Sequence, residues 1–383
     1  MKRLVCGLAC GILAAALFAG GGTEAKGSSA GEKVLKLGVL APLTGTNAEY
    51  GKGFQVGMQM GVDRLNAAGG VNGYTFELVI RDSKGDAKES SDLARQFADD
   101  DEIYAILGDF TSGACMANAP IVDEAGIVQL SPTASNPAYA SLSPYCFSIM
   151  GRQDSEAPMY ARYLYNKAGI RSVGIIYINS DWGKSSFDNF SAEANRLGLK
   201  MPVVVNYVQD EKDFSSLITR LRSDRTIEMV LIMDQGAVPQ VVNQIRGSGW
   251  DIPLATLGPG TSQQLLDLAG RNAENMLVST PFFFDEASAE QMNWKSEFVS
   301  KAGFEPTVHP VLAYDTISLI TEAVRLCGSG NVTRKAIRDN LEKVSLVGVT
   351  GPIKFNPEGD VTRQYMICQA QNGKWVIISG FDI

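Results

Sequence analysis

The 383-residue chain has a formal net charge of -8, a single histidine, 45% hydrophobic and 20% charged residues. That length exceeds what one hydrophobic core usually supports, so two globular domains are expected. The acidic balance, with no basic run interleaved with aromatics, excludes nucleic acid as a partner.

At the N-terminus, Lys2 and Arg3 precede an apolar stretch from Leu4 to Ala19, followed by Gly20, Gly21 and Gly22. This order reads as a secretory signal peptide over residues 1–25, with Ala25 as the last residue removed. Gly7-Leu8-Ala9-Cys10 lacks a large aliphatic residue three places before the cysteine, which disfavours a lipoprotein. No later apolar run is long enough to span a bilayer, so a soluble periplasmic protein is expected. Cys115, Cys146, Cys327 and Cys368 remain after cleavage and form no CxxC pair. Metal ligation by closely spaced thiolates is therefore unsupported. Disulfides and buried free thiols both stay open.

The mature chain alternates strand-like and helix-like segments. Strands are predicted at 34–41, 74–80, 103–107 and 127–130, with helices at 49–68, 86–99 and 114–125 between them. Pro120 inside the third helix predicts a kink or a late start. The beat restarts after Gly151, with helices at 155–167, through Phe187 and Phe190 to Leu197, at 213–222 and at 238–246. Strands at 172–178, 202–207, 228–233 and 253–257 alternate with them. Helices at 287–301, 310–327 and 333–344 come next, then strands at 352–355, 364–370 and 375–379. Repeated strand–helix–strand units imply an α/β protein with parallel sheets covered on both faces. Two such runs and a mixed tail imply two similar lobes, with the chain returning to both across a hinge.

Catalytic chemistry has little to work with. His309 stands between Val308 and Pro310 and reads as a core or interface residue, leaving no Ser–His–Asp triad or histidine metal site. No GxxxxGK[ST] loop occurs, and Gly51-Lys52-Gly53 lacks the third glycine of a dinucleotide fingerprint. The run Asp99-Asp100-Asp101-Glu102 reads as a solvated helix end. No enzyme activity, cofactor or metal is expected.

Polar residues instead gather in loops after strands: 44–50, 109–113 and 131–137, with Thr111 and Ser112 opening a helix. In parallel sheets these loops share one edge, where helix N-termini offer free N–H groups suited to a carboxylate. Helix caps and turns favour the same residue types, but three converging loops favour a binding site.

"LGVLAPLTGTNAEYGKGFQVGMQMGV" (37–62), "LNAAGGVNGYTFELVIRDSKGD" (65–86), "ILGDFTSG", "LSPTASNP", "DEKDFSSLI" (210–218), the segment from Gly258 to Phe282 and "YDT" at Tyr314 resemble, in this order, the leucine/isoleucine/valine-binding proteins of bacterial ABC importers. The resemblance covers essentially the whole mature chain. It implies the type I periplasmic-binding fold: two Rossmann-like lobes joined by three crossover segments, lobe one being 31–153 plus 284–357 and lobe two 154–283 plus 358–383. It also implies a monomer that gives its ligand to a membrane permease. Ser112 then matches the serine gripping the ligand carboxylate, and Thr133 and Ser135 the positions holding its polar head. Thr111 opens the same helix. Tyr50 matches a pocket aromatic of lobe one, and Trp182 an aromatic of lobe two that closes over the ligand. Tyr314 is grouped with them.

The family's acidic residue facing the ammonium group is missing from the turn Gly258-Pro259-Gly260-Thr261, and Asp234 is the candidate substitute. The expected ligand is a branched-chain or other neutral amino acid. An amine-free carboxylic acid, or a ligand-sensing receptor role, are the alternatives.

Overall fold

The computed structural model describes residues 33–258 and 260–380 of the protein. The expected signal peptide, with Cys6 and Cys10, lies outside the described residues.

The first run comprises β1 (Lys33–Ala41), α1 (Ala48–Ala67), β2 (Tyr74–Asp82), α2 (Ala87–Asp99), β3 (Ile103–Leu107), α3 (Ser112–Ala125), β4 (Val128–Ser131) and β5 (Cys146–Ser148). Its strands form an all-parallel sheet in the order β2-β1-β3-β4-β5. The near-continuous apolar character of β1 and β3 reflects burial on both faces. α2 and α3 cover one face, around Phe97, Cys115, Val122 and Tyr139. α3 begins at Ser112, so Pro120 does not delay its start. The proline is exposed, where the N–H it lacks leaves a carbonyl one turn earlier that water can satisfy.

The second run follows as α4 (Gln153–Arg162), β6 (Val173–Ile178), α5 (Asp181–Leu197), β7 (Val204–Tyr207), α6 (Ser215–Ser223), β8 (Met229–Met233), α7 (Val238–Gly247), β9 (Leu254–Leu257), α8 (Gln263–Ala269) and β10 (Leu277–Thr280). Then α9 (Ala289–Ala302), α10 (Val308–Cys327) and α11 (Arg334–Leu341) return to the first sheet. Trp294, Phe298, Leu312, Ile320 and Ile337 share a core there with Phe54 and Met58 of α1. α1 and α10 pack so closely that a Cβ on Gly57 would lie 2.3 Å from the Pro310 carbonyl oxygen, which explains the glycine.

A hairpin of β11 (Ser345–Gly348) and β12 (Gly351–Lys354) precedes β13 (Met366–Gln371) and β14 (Lys374–Ser379). These last two strands complete the second sheet, of order β14-β13-β10-β9-β8-β6-β7, and are antiparallel within it. Asn372 and Gly373, at φ 54° and 74°, make the tight turn between them.

The chain therefore passes between the sheets three times: after β5, after β10 and before β13. The first and third passages lie side by side. Arg152 Nη1 meets the buried Asp360 Oδ2 at 3.4 Å, and Arg363 Nε donates to the Ile149 carbonyl at 3.1 Å. The four cysteines from Cys115 to Cys368 are free thiols, three of them fully buried.

The cleft between the lobes as candidate ligand site

The carboxyl ends of the parallel strands place loops of both sheets at one cleft. Lobe one contributes Thr46 and Asn47 after β1, Asp86 before α2, and Thr111 and Gly113 at the start of α3. Lobe two contributes Asp181 and Trp182 of α5, Tyr207 at the end of β7, Gln209, Asp210 and Glu211 after it, and Asp234 and Gln235 after β8. Together they enclose a cavity of about 230 Å³. At roughly 30 Å³ per water, that is the space of about eight waters, the scale of a free amino acid.

Local capping fixes these residues. The Thr111 side chain accepts the Ala114 N–H, the Ser180 side chain accepts the Gly183 N–H, and Asp86 Oδ1 accepts the Glu89 N–H at 2.8 Å. Such caps stabilise a helix start by about 1 kcal/mol each. The first N–H groups of α3 have no acceptor within the helix and point with its positive dipole end toward the cavity wall.

Across the cleft the lobes touch through polar contacts. Trp182 Nε1 donates to Ser135 Oγ at 3.0 Å, and Asn136 Nδ2 donates to the Asp181 carbonyl at 3.2 Å. Tyr50 donates its phenol to the Gln235 carbonyl at 3.1 Å, and Thr46 Oγ1 donates to Asp210 Oδ1 at 2.8 Å. Ser262 Oγ donates to Glu49 Oε1 at 3.2 Å, and burial pushes the Glu49 carboxyl up to about 7 against that bond.

Behind the cavity, Tyr50 stacks on Phe110 at 4.7 Å, and His309 packs edge-on to both. Burial drives His309 down to about 3, so its ring is neutral at pH 7.

Of the residues singled out from sequence, Thr111, Trp182 and Asp234 line the cavity. Asp234 is 3% exposed, and its Oδ2 accepts the Ala237 N–H at 2.7 Å. Burial raises its carboxyl above the ordinary range. Tyr50 lines an adjoining crevice with Glu49 and Ser262.

Ser112, Thr133 and Ser135 stand one layer back, buried. Ser112 Oγ accepts the N–H groups of Ser135 and Asn136 at 3.3 and 3.2 Å, which leaves its own proton to donate. Thr133 Oγ1 donates to the Phe110 carbonyl at 2.8 Å, and Ser135 Oγ holds Trp182.

Tyr314 is a correction. It lies on α10, where Arg64 donates to its hydroxyl at 3.0 Å and Trp294 packs against its ring, in a surface hollow that shares no residue with the cleft. Helical phase explains this, because α10 turns that face toward α1 and α9.

Gln153 and Tyr207 escaped the sequence reading. Gln153 Nε2 donates to the Trp182 carbonyl at 2.7 Å while its N–H donates to the Ser135 carbonyl at 2.8 Å, tying the first passage to both lobes. Tyr207, last residue of a strand, could have been found by extending the strand-end argument to lobe two.

A match to the periplasmic binding protein family spans residues 34–374. The chain belongs to that family. A curated relative, "Leu/Ile/Val-binding protein homolog 1" of Brucella suis biovar 1, is 28% identical over 357 residues, covering 91% of this chain and 92% of its own length.

Among solved structures, the branched-chain amino acid transporter substrate-binding protein of Streptococcus pneumoniae, in complex with isoleucine, superposes with a TM-score of 0.83 at 24% identity. That match covers 91% of this chain and all of the other. A solute-binding protein of R. palustris in complex with benzoate gives 0.82 at 18% identity, covering 90% and 96%. At these identities both likenesses establish the periplasmic-binding fold. Among the described residues no helix is long and apolar enough to cross a membrane, and no cluster of His, Cys, Asp or Glu could hold a metal ion.

Proposed function

We propose that this periplasmic binding protein is an exported, monomeric, non-catalytic subunit of an ABC importer that captures a free α-amino acid between its lobes. Residues 31–153 plus 284–357 act as one lobe and 154–283 plus 358–383 as the other. Residues 1–25 direct export, and a membrane permease receives the ligand. The observation that carries the reading is that one amino-acid-sized cavity is bounded by the N-terminus of α3 from one lobe and the buried carboxylate of Asp234 from the other.

The helix start suits a carboxylate and the Asp234 carboxylate suits an ammonium, so a zwitterion satisfies both at once. The relatives named for leucine, isoleucine and valine support this choice. Hinge closure around the ligand is the known motion of periplasmic binding proteins. The benzoate-bound neighbour supports a second reading, an amine-free carboxylic acid, in which Asp234 is only the cap of its own loop.

Thermal shift of the mature protein with L-amino acids and their deaminated counterparts separates the two. A ligand that binds only the folded state raises the melting temperature, by the equivalent of about 2.7 kcal/mol at a hundred times its Kd. The proposal predicts a rise with amino acids alone. An equal rise with the deaminated acids contradicts it.

A further inference from the structure

The start of α1 is pressed against lobe two. Thr46 and Tyr50 donate across the seam to Asp210 Oδ1 and the Gln235 carbonyl, at 2.8 and 3.1 Å. A Cβ on Gly236 would lie 2.6 Å from Thr46 Cγ2 and 2.9 Å from the Thr46 carbonyl oxygen, so lobe two presents bare backbone there. Glu49 stands within this seam, in a crevice of about 160 Å³ that it shares with Tyr50, Lys212, Gln235 and Ser262.

Its carboxylate is poorly compensated. Ser262 Oγ is its one hydrogen-bond donor among the described residues, 3.2 and 3.5 Å from the two oxygens. That hydroxyl accepts the Leu265 N–H as the cap of α8, and Trp375 Nε1 donates to the Ser262 carbonyl at 2.9 Å. The donor therefore moves with lobe two and the carboxylate with lobe one. Glu49 belongs to no ion pair among the described residues, and Lys212, the one cation lining the crevice, forms none with it. Asp267 of α8 faces it with like charge. The other acids of the seam are Asp210, which takes the Thr46 hydroxyl, Glu211, which takes the Lys212 and Asp213 N–H groups, and Asp234 beyond the Tyr50 phenol.

With the lobes apart, the same carboxylate stands on the first turn of α1, where water and the positive end of the helix dipole favour the ionised form. With the lobes together it exchanges that water for a single hydroxyl, and burial pushes it up to about 7. The closed form therefore holds the proton more tightly than the open form.

We propose that Glu49 is a proton-sensitive latch on lobe closure: protonated, it seats between the lobes, and ionised, it drives them apart. Between about pH 4 and 7 the closed form binds more protons, so closure is favoured at low pH and lost as pH rises through about 7. By reciprocity, a ligand that needs closed lobes binds more weakly as pH rises. The latch rests on the hinge closure proposed above and not on which ligand is captured.

Small-angle scattering of the mature protein without ligand, from about pH 5 to 8 at fixed ionic strength, tests the latch in the wild type, Glu49→Gln and Glu156→Gln. The wild type should expand as pH rises, its closed-to-open ratio falling about tenfold or more. Glutamine keeps an acceptor for Ser262 and carries no charge, so Glu49→Gln should stay compact throughout. Glu156 is buried within lobe two with Ser279 as its donor, so Glu156→Gln should expand as the wild type does. Carbon-13 NMR titration of the wild-type Glu49 carboxyl gives a second reading, which should lie well above the ordinary value of about 4.3. A wild-type radius of gyration that is constant with pH overturns the inference. So does equal expansion in Glu49→Gln, a Glu49→Gln protein already expanded at the lowest pH, or an ordinary Glu49 titration. All of these leave the amino-acid reading standing, since no ligand is present.

Discussion

Replacing Asp234 by asparagine separates ligand recognition from folding, because the two effects have opposite signs. The carboxylate is 3% exposed and has no cationic partner among the described residues, so the empty protein bears the cost of a buried charge. Burial raises its pKa for that reason. Asparagine keeps the shape and one oxygen to accept the Ala237 N–H. The empty Asp234→Asn protein should therefore melt higher than the wild type at pH 8. In the complex the ligand ammonium supplies the missing charge, and a hydrogen bond of that kind contributes about 1.5–3 kcal/mol. Losing it should weaken an amino acid roughly 10- to 150-fold. The deaminated analogue should bind both proteins alike. Calorimetry with the analogue pair, beside thermal melts of the empty proteins, reads all three quantities. Unchanged amino-acid affinity in the variant refutes the assignment, and so does an equal loss for both analogues.

Trp182→Phe removes the Nε1 bond to Ser135 Oγ, about 1 kcal/mol or a roughly fivefold shift toward separated lobes. Small-angle scattering should show an expanded empty protein, and an unchanged radius of gyration argues against that bond as a latch. Glu156 is buried and pushed up to about 7, with Ser279 Oγ donating to it at 2.7 Å. Its unfolded pKa is near 4.3, so between about pH 4 and 7 the folded state binds more protons and stability falls as pH rises, by up to about 4 kcal/mol. Glu49 adds a slope of the same sign. Glu156→Gln should flatten part of the slope and melt higher than the wild type above pH 7, whereas parallel curves from pH 5 to 8 remove Glu156 as the cause.

The alternation of β-branched runs with helical spacing was enough to read both sheets, because doubly covered strands are apolar throughout. The strand at Ile103–Leu107 coincides with the expectation to the residue. β5 and β10 were missed, being three and four residues long, too short for a strand pattern to show. β11 was missed because its four residues are exposed or half-exposed, with no buried face to pattern.

For the site, strand-end loops brought out Thr111 and Asp234, and the family resemblance brought out Trp182; all three line the cavity. Sequence could not show that Ser112, Thr133 and Ser135 stand behind the wall, since their hydroxyls are engaged by distant groups: backbone 23 and 24 residues away for Thr133 and Ser112, and the Trp182 side chain 47 residues away for Ser135. Nor could it place Tyr314, whose side depends on how α10 is rotated against α1.

The most direct test is a crystal structure of the mature protein with whichever L-amino acid raises its melting temperature most. The account predicts the ligand in the cavity between the lobes, its carboxylate at the N-terminus of α3 and its ammonium against Asp234. A ligand bound elsewhere, such as the open groove lined by Arg338, Lys343 and Lys354 on lobe one, or one in the cleft with its ammonium turned away from Asp234, contradicts it.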